Sequence, residues 1–342
     1  MLLNPKDFRG WLALSALVPL AFLVTYLTDP AVRRASFWGD AWREIDLPER
    51  ARALPEEAVL SLREDLSERG PASKVSPARD ADYMLQDLRD ALSSLPQPLK
   101  DLVSDRLIGV FLVDGLSGED GETHNLGLAL EVSGLWRQHA GTIILIDRDE
   151  TDMKANRAMA GMEYVPAGNY RGVSVQTRLA RRDDNDRRTT LRYVLLHELG
   201  HLIDYDRGIT PARFSYGDDT AGCGFTCLSW IKPGRHRFSP AIDAAMRNVR
   251  AGNYDAFVKA LPDTFKYLTE SNFPSLYAST LPEEDFAESF AQYVHSVMMG
   301  HPWELTLRVD GTIRAQLGSC FLDRRCPSKK AYIDNLLTDP AR

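Results

Sequence analysis

The sequence predicts an α+β fold: a small sheet, then a long buried helix, then a C-terminal helical lobe. Three observations predict it. Leu107–Val113, Leu126–Val132 and Thr142–Ile146 are apolar and β-branched runs that read as strands. Leu191 to Tyr205 is an apolar, helix-compatible stretch in which Val194, Leu195, Leu199 and Leu202 mark a buried helix. Pro282 followed by Glu283, Glu284 and Asp285 is a helix start, because proline suits the first helical position and acids suit the first turn. With 342 residues, 44% of them hydrophobic, the chain can bury one large core or two modest ones.

The first element is an apolar run. No charged residue occurs from Gly10 to Thr28, and Trp11 to Leu27 is almost wholly apolar. That length is at the short end of a bilayer span and exceeds a usual signal-peptide core. Ala31 and Ala35 are candidate last residues of a cleaved signal, but Asp29 and Arg33 stand two positions before them. Residues 1–28 are therefore expected to be an uncleaved membrane anchor, with a cleaved signal that releases a secreted chain as the alternative. Lys6 and Arg9 on one side and Arg33 and Arg34 on the other leave the orientation to the long C-terminal domain, which usually translocates.

Residues 29–104 form the next region. They are rich in Arg, Glu, Asp, Ala and Leu, with breaks at Pro48, Pro55, Pro71, Pro77, Pro96 and Pro98. Short helices are predicted there, including Glu56–Arg69 and Asp80–Ser94, as a stalk or a cap. From Leu107 the strands begin, separated by the turns Asp114-Gly115, Ser117-Gly118 and Asp120-Gly121. Thr142–Ile146 reads equally as an edge strand or a central one. Residues 105–342 are expected to form one domain.

Charge and cysteine usage narrow the partners. A net charge of −7 argues against a nucleic-acid footprint. The run from Arg181 to Arg188 mixes signs and reads as a solvated loop. Four cysteines lie in two close pairs, Cys223 with Cys227 and Cys320 with Cys326. Two local disulfides in an oxidising compartment are expected, such as a bacterial periplasm or cell surface. A site of four thiolates on a second zinc is the alternative, although these spacings fit a zinc ribbon poorly.

The chemistry concentrates in His197-Glu198-Leu199-Gly200-His201. Two histidines four apart share one helix face, so both imidazoles reach one metal ion. Glu198, one step round, is placed to hold a water and take its proton. Two imidazoles with an oxygen ligand and an open position suit one zinc ion per chain. Buried His and Glu require partners, and a metal supplies them.

A third ligand must come from elsewhere. Arg207 stands six residues after His201, which removes the extended motif with a third histidine there, and no Gly-Thr-x-Asp pattern occurs. Glu284 and Glu288 lie four apart on one face of the helix opened by Pro282. A glutamate ligand backed by a second carboxylate that orients a metal-bound histidine is sound ligand chemistry. An exposed acidic helix start is the plainer reading of the same residues. His295 is a rival ligand, better read as a polar residue at the far end of the helix.

The stretch ending Leu-His-Glu-Leu-Gly-His-Leu-Ile-Asp at Asp204, with Glu-Asp-Phe-Ala-Glu-Ser-Phe at 284–290, resembles the catalytic domain of anthrax lethal factor and its relatives, a branch of the gluzincin metallopeptidases. The resemblance covers roughly residues 105–300. It implies a zincin-like fold whose sheet precedes the active-site helix and offers an edge strand to an extended peptide. It implies Glu284 as zinc ligand, Glu288 behind it, and Tyr277, seven residues earlier, as a hydroxyl facing the substrate carbonyl. Tyr293, Tyr205 and Tyr216 are aromatic rivals for that role. It further implies hydrolysis of a protein or peptide substrate, with Glu198 moving the proton. One departure is the 82 residues between His201 and Glu284, which hold Cys223, Cys227 and Trp230–Pro240. A non-catalytic, zinc-containing envelope scaffold and an exported toxin-like protease remain as alternatives. Glu198 speaks against the first, because a structural site does not need it.

Overall fold

The computed structural model describes residues 26–67, 74–116, 125–165, 169–213 and 223–338. The predicted membrane segment falls on residues 1–28, of which 1–25 lie outside the described residues. Among the described residues no helix is long and apolar enough to cross a membrane. The turns at Ser117-Gly118 and Asp120-Gly121, and Tyr216, also lie outside them.

The fold is mixed α+β with small sheets. Strands β1 (Ala51–Ala53), β2 (Ser76–Pro77), β3 (Leu107–Asp114), β4 (Gly127–Ser133) and β5 (His139–Asp147) share one sheet in the order β1-β3-β5-β4, with β2 also on β3. β3 runs parallel to both β1 and β5, while β4 runs antiparallel to β5. β3 and β5 are buried on both faces, which is why their sequences are nearly continuous apolar runs. Alternation sorts their side chains: Ile143 and Leu145 enter one core with Trp42, Val59 and Leu62, and Ile144 and Ile146 enter the other with Leu195 and Leu199.

Two expectations become definite. Thr142–Ile146 is central, and the edge strand beside it is β4, whose far end is bridged by Arg34 at Ser133. Residues 29–104, read as a stalk or cap, supply β1 and β2 to this sheet. They also supply α1 (Glu56–Ser67), α2 (Asp82–Ser93) and α3 (Gln97–Val103). Two strands of two and three residues carry too little period to be seen in sequence.

After the sheet come α4 (Ala155–Met162), strand β6 (Val173–Arg178) and the long helix α5 (Arg187–Arg207). The Asp186 side chain caps α5 by accepting from the Thr189 N–H at 3.1 Å. Gly208 ends it at φ 60°, a left-handed turn that favours glycine. The segment before Glu284 contains a short ribbon, β7 (Trp230–Lys232) with β8 (Arg235–His236), and the helices α6 (Pro240–Arg250) and α7 (Tyr254–Thr269). Helix α8 (Pro282–Tyr293) follows, then β9 (Glu304–Val309), β10 (Thr312–Gly318) and α9 (Pro327–Thr338). β6, β9 and β10 form a second, antiparallel sheet.

Both cysteine pairs are disulfides, Cys223–Cys227 and Cys320–Cys326, so no four-thiolate site forms. Such bonds fit an oxidising compartment. Each closes a short loop and contributes roughly 2 kcal/mol in the chain-entropy picture.

α5 and α8 pack closely at Gly200. A Cβ there would lie 2.7 Å from the Ala287 Cα and 3.1 Å from its carbonyl oxygen, so only hydrogen fits. Gly200→Ala is expected to push the helices apart and destabilise the fold by about 1–3 kcal/mol, as overpacking does. Chemical denaturation of the two proteins measures this, and an unchanged midpoint would contradict the close approach.

Candidate metal centre

α5 and α8 carry the site. Helical spacing puts His197 and His201 on one face, and their rings lie 4.9 Å apart, edge to face. Glu284, in the first turn of α8, points between them. Its Oε2 is 3.1 Å from His197 Nε2 and 3.4 Å from His201 Nε2. The three donor atoms lie within 4.8 Å of one another, and this is a group that can hold a metal ion. Tetrahedral bonds of ~2.1 Å set donor atoms ~3.4 Å apart, so the observed separations suit zinc. The donor set, two imidazole nitrogens and a carboxylate, suits it as well.

The surroundings orient these donors. Glu288 Oε2 lies 3.2 Å from His197 Nδ1, which leaves Nε2 for the metal position. The Tyr193 hydroxyl donates to Glu288 Oε1 at 2.6 Å. Glu288 is fully buried, and among the described residues it is the partner of His197 on that side. Asp285, beside Glu284, forms an ion pair with Lys329 of α9, both side chains fully buried. It also accepts from Trp230 Nε1 at 3.1 Å. The start of α8 is thereby fixed from behind.

Buried charge shifts the titrations. Burial lowers His197, but hydrogen bonds to Glu284 and Glu288 outweigh it and hold the imidazole well above its ordinary value. His201 is likewise raised, with Glu284 outweighing burial. Burial raises Glu284, yet the two histidines hold it well below the carboxylate range. Glu198 is raised by burial, against the pull of His197 and His201.

Glu198 lies against β4, where the Ala129 N–H bonds to it. A Cβ on Gly127 would lie 2.7 Å from Glu198 Oε1, so the glycine makes room for the carboxylate. Tyr277 sits on a short 3-10 turn, Tyr277–Ser279, with its ring 5.7 Å from His197 and its hydroxyl bonded to Glu284. Burial, then Glu284, pushes this phenol well above its ordinary value, so it stays protonated. Tyr205 stacks on His201 at 6.3 Å, and its hydroxyl reaches the Ala129 carbonyl at 3.5 Å. Tyr293 is elsewhere, bonded to Asp334.

The structure therefore brings His197, Glu198, His201, Tyr277, Glu284 and Glu288 together and leaves His295 out. Its Nε2 donates to the Leu179 carbonyl at 2.8 Å, and burial lowers its pKa to about 3. Sequence reasoning missed Tyr193, although it stands one turn before His197 on the same face. It also missed Glu163, 1% exposed, whose carboxylate accepts from the Leu276 N–H at 2.7 Å. Nothing local links positions so far apart in sequence.

No family model matches this chain, and no curated protein and no solved structure matches it.

Two outcomes test the centre. Metal analysis should find one zinc per chain, lost in His197→Ala, His201→Ala and Glu284→Ala; full retention in all three would refute the ligand set. Raised histidine pKa values mean that the metal-free imidazoles hold their protons to higher pH. Zinc needs them neutral, so binding should release protons and strengthen as pH rises. Calorimetry in buffers of different ionisation enthalpy reads that release, and a buffer-independent heat would contradict it.

Proposed function

We propose that this chain is a zinc-dependent metallopeptidase of the gluzincin type, with a zincin-like domain that hydrolyses peptide bonds of a protein or peptide substrate. The observation that carries the reading is the meeting of His197, His201 and Glu284 around one position, with Glu198 beside it. The resemblance of residues 197–204 and 284–290 to the lethal factor catalytic domain supports it. A purely structural metal site has no use for a buried Glu198 that is not a ligand.

His197, His201 and Glu284 would hold the zinc. When bound, zinc supplies Lewis acidity toward the substrate carbonyl and lowers the pKa of its water to ~7. Glu198 takes the proton of the attacking water and returns it to the leaving amine. Burial raises the pKa of Glu198 above the usual carboxylate value, which makes it a stronger base for that proton. Tyr277, a phenol kept protonated, donates to the oxygen that becomes negative. Glu288 and Tyr193 keep the His197 ring in its orientation. β4 is the edge strand beside Glu198, and an extended peptide that adds to it would replace the bonds that Glu198 and Tyr205 make to the Ala129 backbone. Toward its far end that edge is already covered, by Arg33 on the Glu131 carbonyl at 3.2 Å.

The same reading extends to location. The two disulfides support an oxidising compartment, for which the periplasm or cell surface is our proposal. The apolar run Trp11–Leu27 supports a membrane anchor.

Unbiased peptide-cleavage profiling tests the function. Glu198→Gln should keep zinc and fold and lose turnover by ~10² or more, because the amide cannot accept the proton. Tyr277→Phe should lose less, also with zinc retained. A Glu198→Gln protein as active as wild type would overturn the mechanism.

A further inference from the structure

Glu163 is a buried carboxyl group that the mechanism above does not use. It follows α4 directly and is 1% exposed. Among the described residues no cationic side chain pairs with it. Burying such a group without a counter-charge is costly, and here it is compensated only by hydrogen bonds. Its Oε2 accepts from the Leu276 N–H at 2.7 Å and from the Tyr277 N–H at 3.4 Å, and the Ser275 side chain bonds to it as well. These are the residues that open the 3-10 turn bearing Tyr277. The next residue, Tyr164, is held at φ 57°, a left-handed conformation unusual for an aromatic residue. Its ring lies 6.1 Å from the Tyr277 ring.

We propose that the Glu163–Tyr164 pair is the positioning device of Tyr277: the Glu163 carboxyl group fixes its backbone and the Tyr164 ring braces its ring, so that the phenol is aimed at the metal position. This rests on the peptidase reading for its consequence, since Tyr277 matters there as an oxyanion donor. The chain around Tyr277 is a single short turn, with no regular element of its own to hold the ring. A carboxyl group at its N–H groups supplies that hold: burial with the nearby Glu288 charge raises its pKa to about 8, so near neutral pH its neutral form accepts these bonds through Oε2. Placement within fractions of an ångström is what a single donor to a developing charge requires.

The test uses the full zinc-loaded chain and the best peptide found by cleavage profiling of the wild type. Glu163→Ala should keep one zinc and lower kcat about 10-fold or more with KM changed little, because misplacement acts on the reacting step. Glu163→Gln, which keeps an acceptor oxygen, should recover most of the loss. In a Tyr277→Phe background, Glu163→Ala should cost nothing further, since it acts through that hydroxyl. A second readout needs no substrate: the 13Cζ tyrosine resonance of Tyr277, assigned by its absence in Tyr277→Phe, should move in Glu163→Ala and less in Glu163→Gln. Should Glu163→Ala not fold, Glu163→Asp, whose shorter arm withdraws the carboxylate, carries the same expectations. An unmoved Tyr277 resonance, or an equal loss with and without the Tyr277 hydroxyl, would overturn the proposal. If the wild type cleaves nothing, the peptidase reading fails, and the resonance alone still decides whether Glu163 places Tyr277.

Discussion

The approach of α5 to α8 at Gly200 and Ala287 is the constraint on which the rest of the site depends. Two histidines on one helix make only half a metal site. The other half arrives because a hydrogen at position 200 lets the second helix come within contact of the first. At that distance Glu284 reaches both imidazoles and Glu288 reaches the back of one. The motif is thus a packing motif as well as a chemical one: the small residue inside it is required by the neighbour, not by the metal.

Holding several carboxylates beside two histidines in a dry interior is expensive unless each charge has a partner. The protein meets this by layers. Glu284 faces the imidazoles, Glu288 is held by Tyr193, and Asp285 is neutralised by the buried Lys329. Lys329 sits on α9 just after Cys326 and holds the first turn of α8 through Asp285. At the other end of α8, Gln292 accepts the N–H of the bridged Cys320 at 3.0 Å, so the helix is tied at both ends. Breaking the buried pair at Asp285 or Lys329 leaves an uncompensated charge, which makes this support as sensitive as the site itself.

Much of this was legible in the sequence because it rests on period. Spacing of four put His197 with His201 and Glu284 with Glu288, and proline followed by acids announced α8. Continuous apolar runs marked β3 and β5, although the run at Thr142–Ile146 could not say whether its neighbours were one or two. The β9–β10 hairpin did carry a local signal, the Asp310-Gly311 turn between two short strands, and the strand reading passed over it. The rest lacked one: β6 meets β9 only across a large part of the chain, and β1 and β2 are too short to show alternation. Lys329 looks like a solvated helix residue, and only the fold reveals that it is buried against Asp285. Glu163 has the same character: its role is defined by a backbone more than a hundred residues away.

The central claim is that two imidazoles and one carboxylate share a single zinc with room for a further oxygen. Zinc-edge X-ray absorption on the purified, zinc-loaded chain measures this most directly. Two imidazole nitrogens and oxygen donors at ~2.0–2.2 Å are expected. A sulfur shell at ~2.3 Å, or a metal surrounded by water alone, would contradict it.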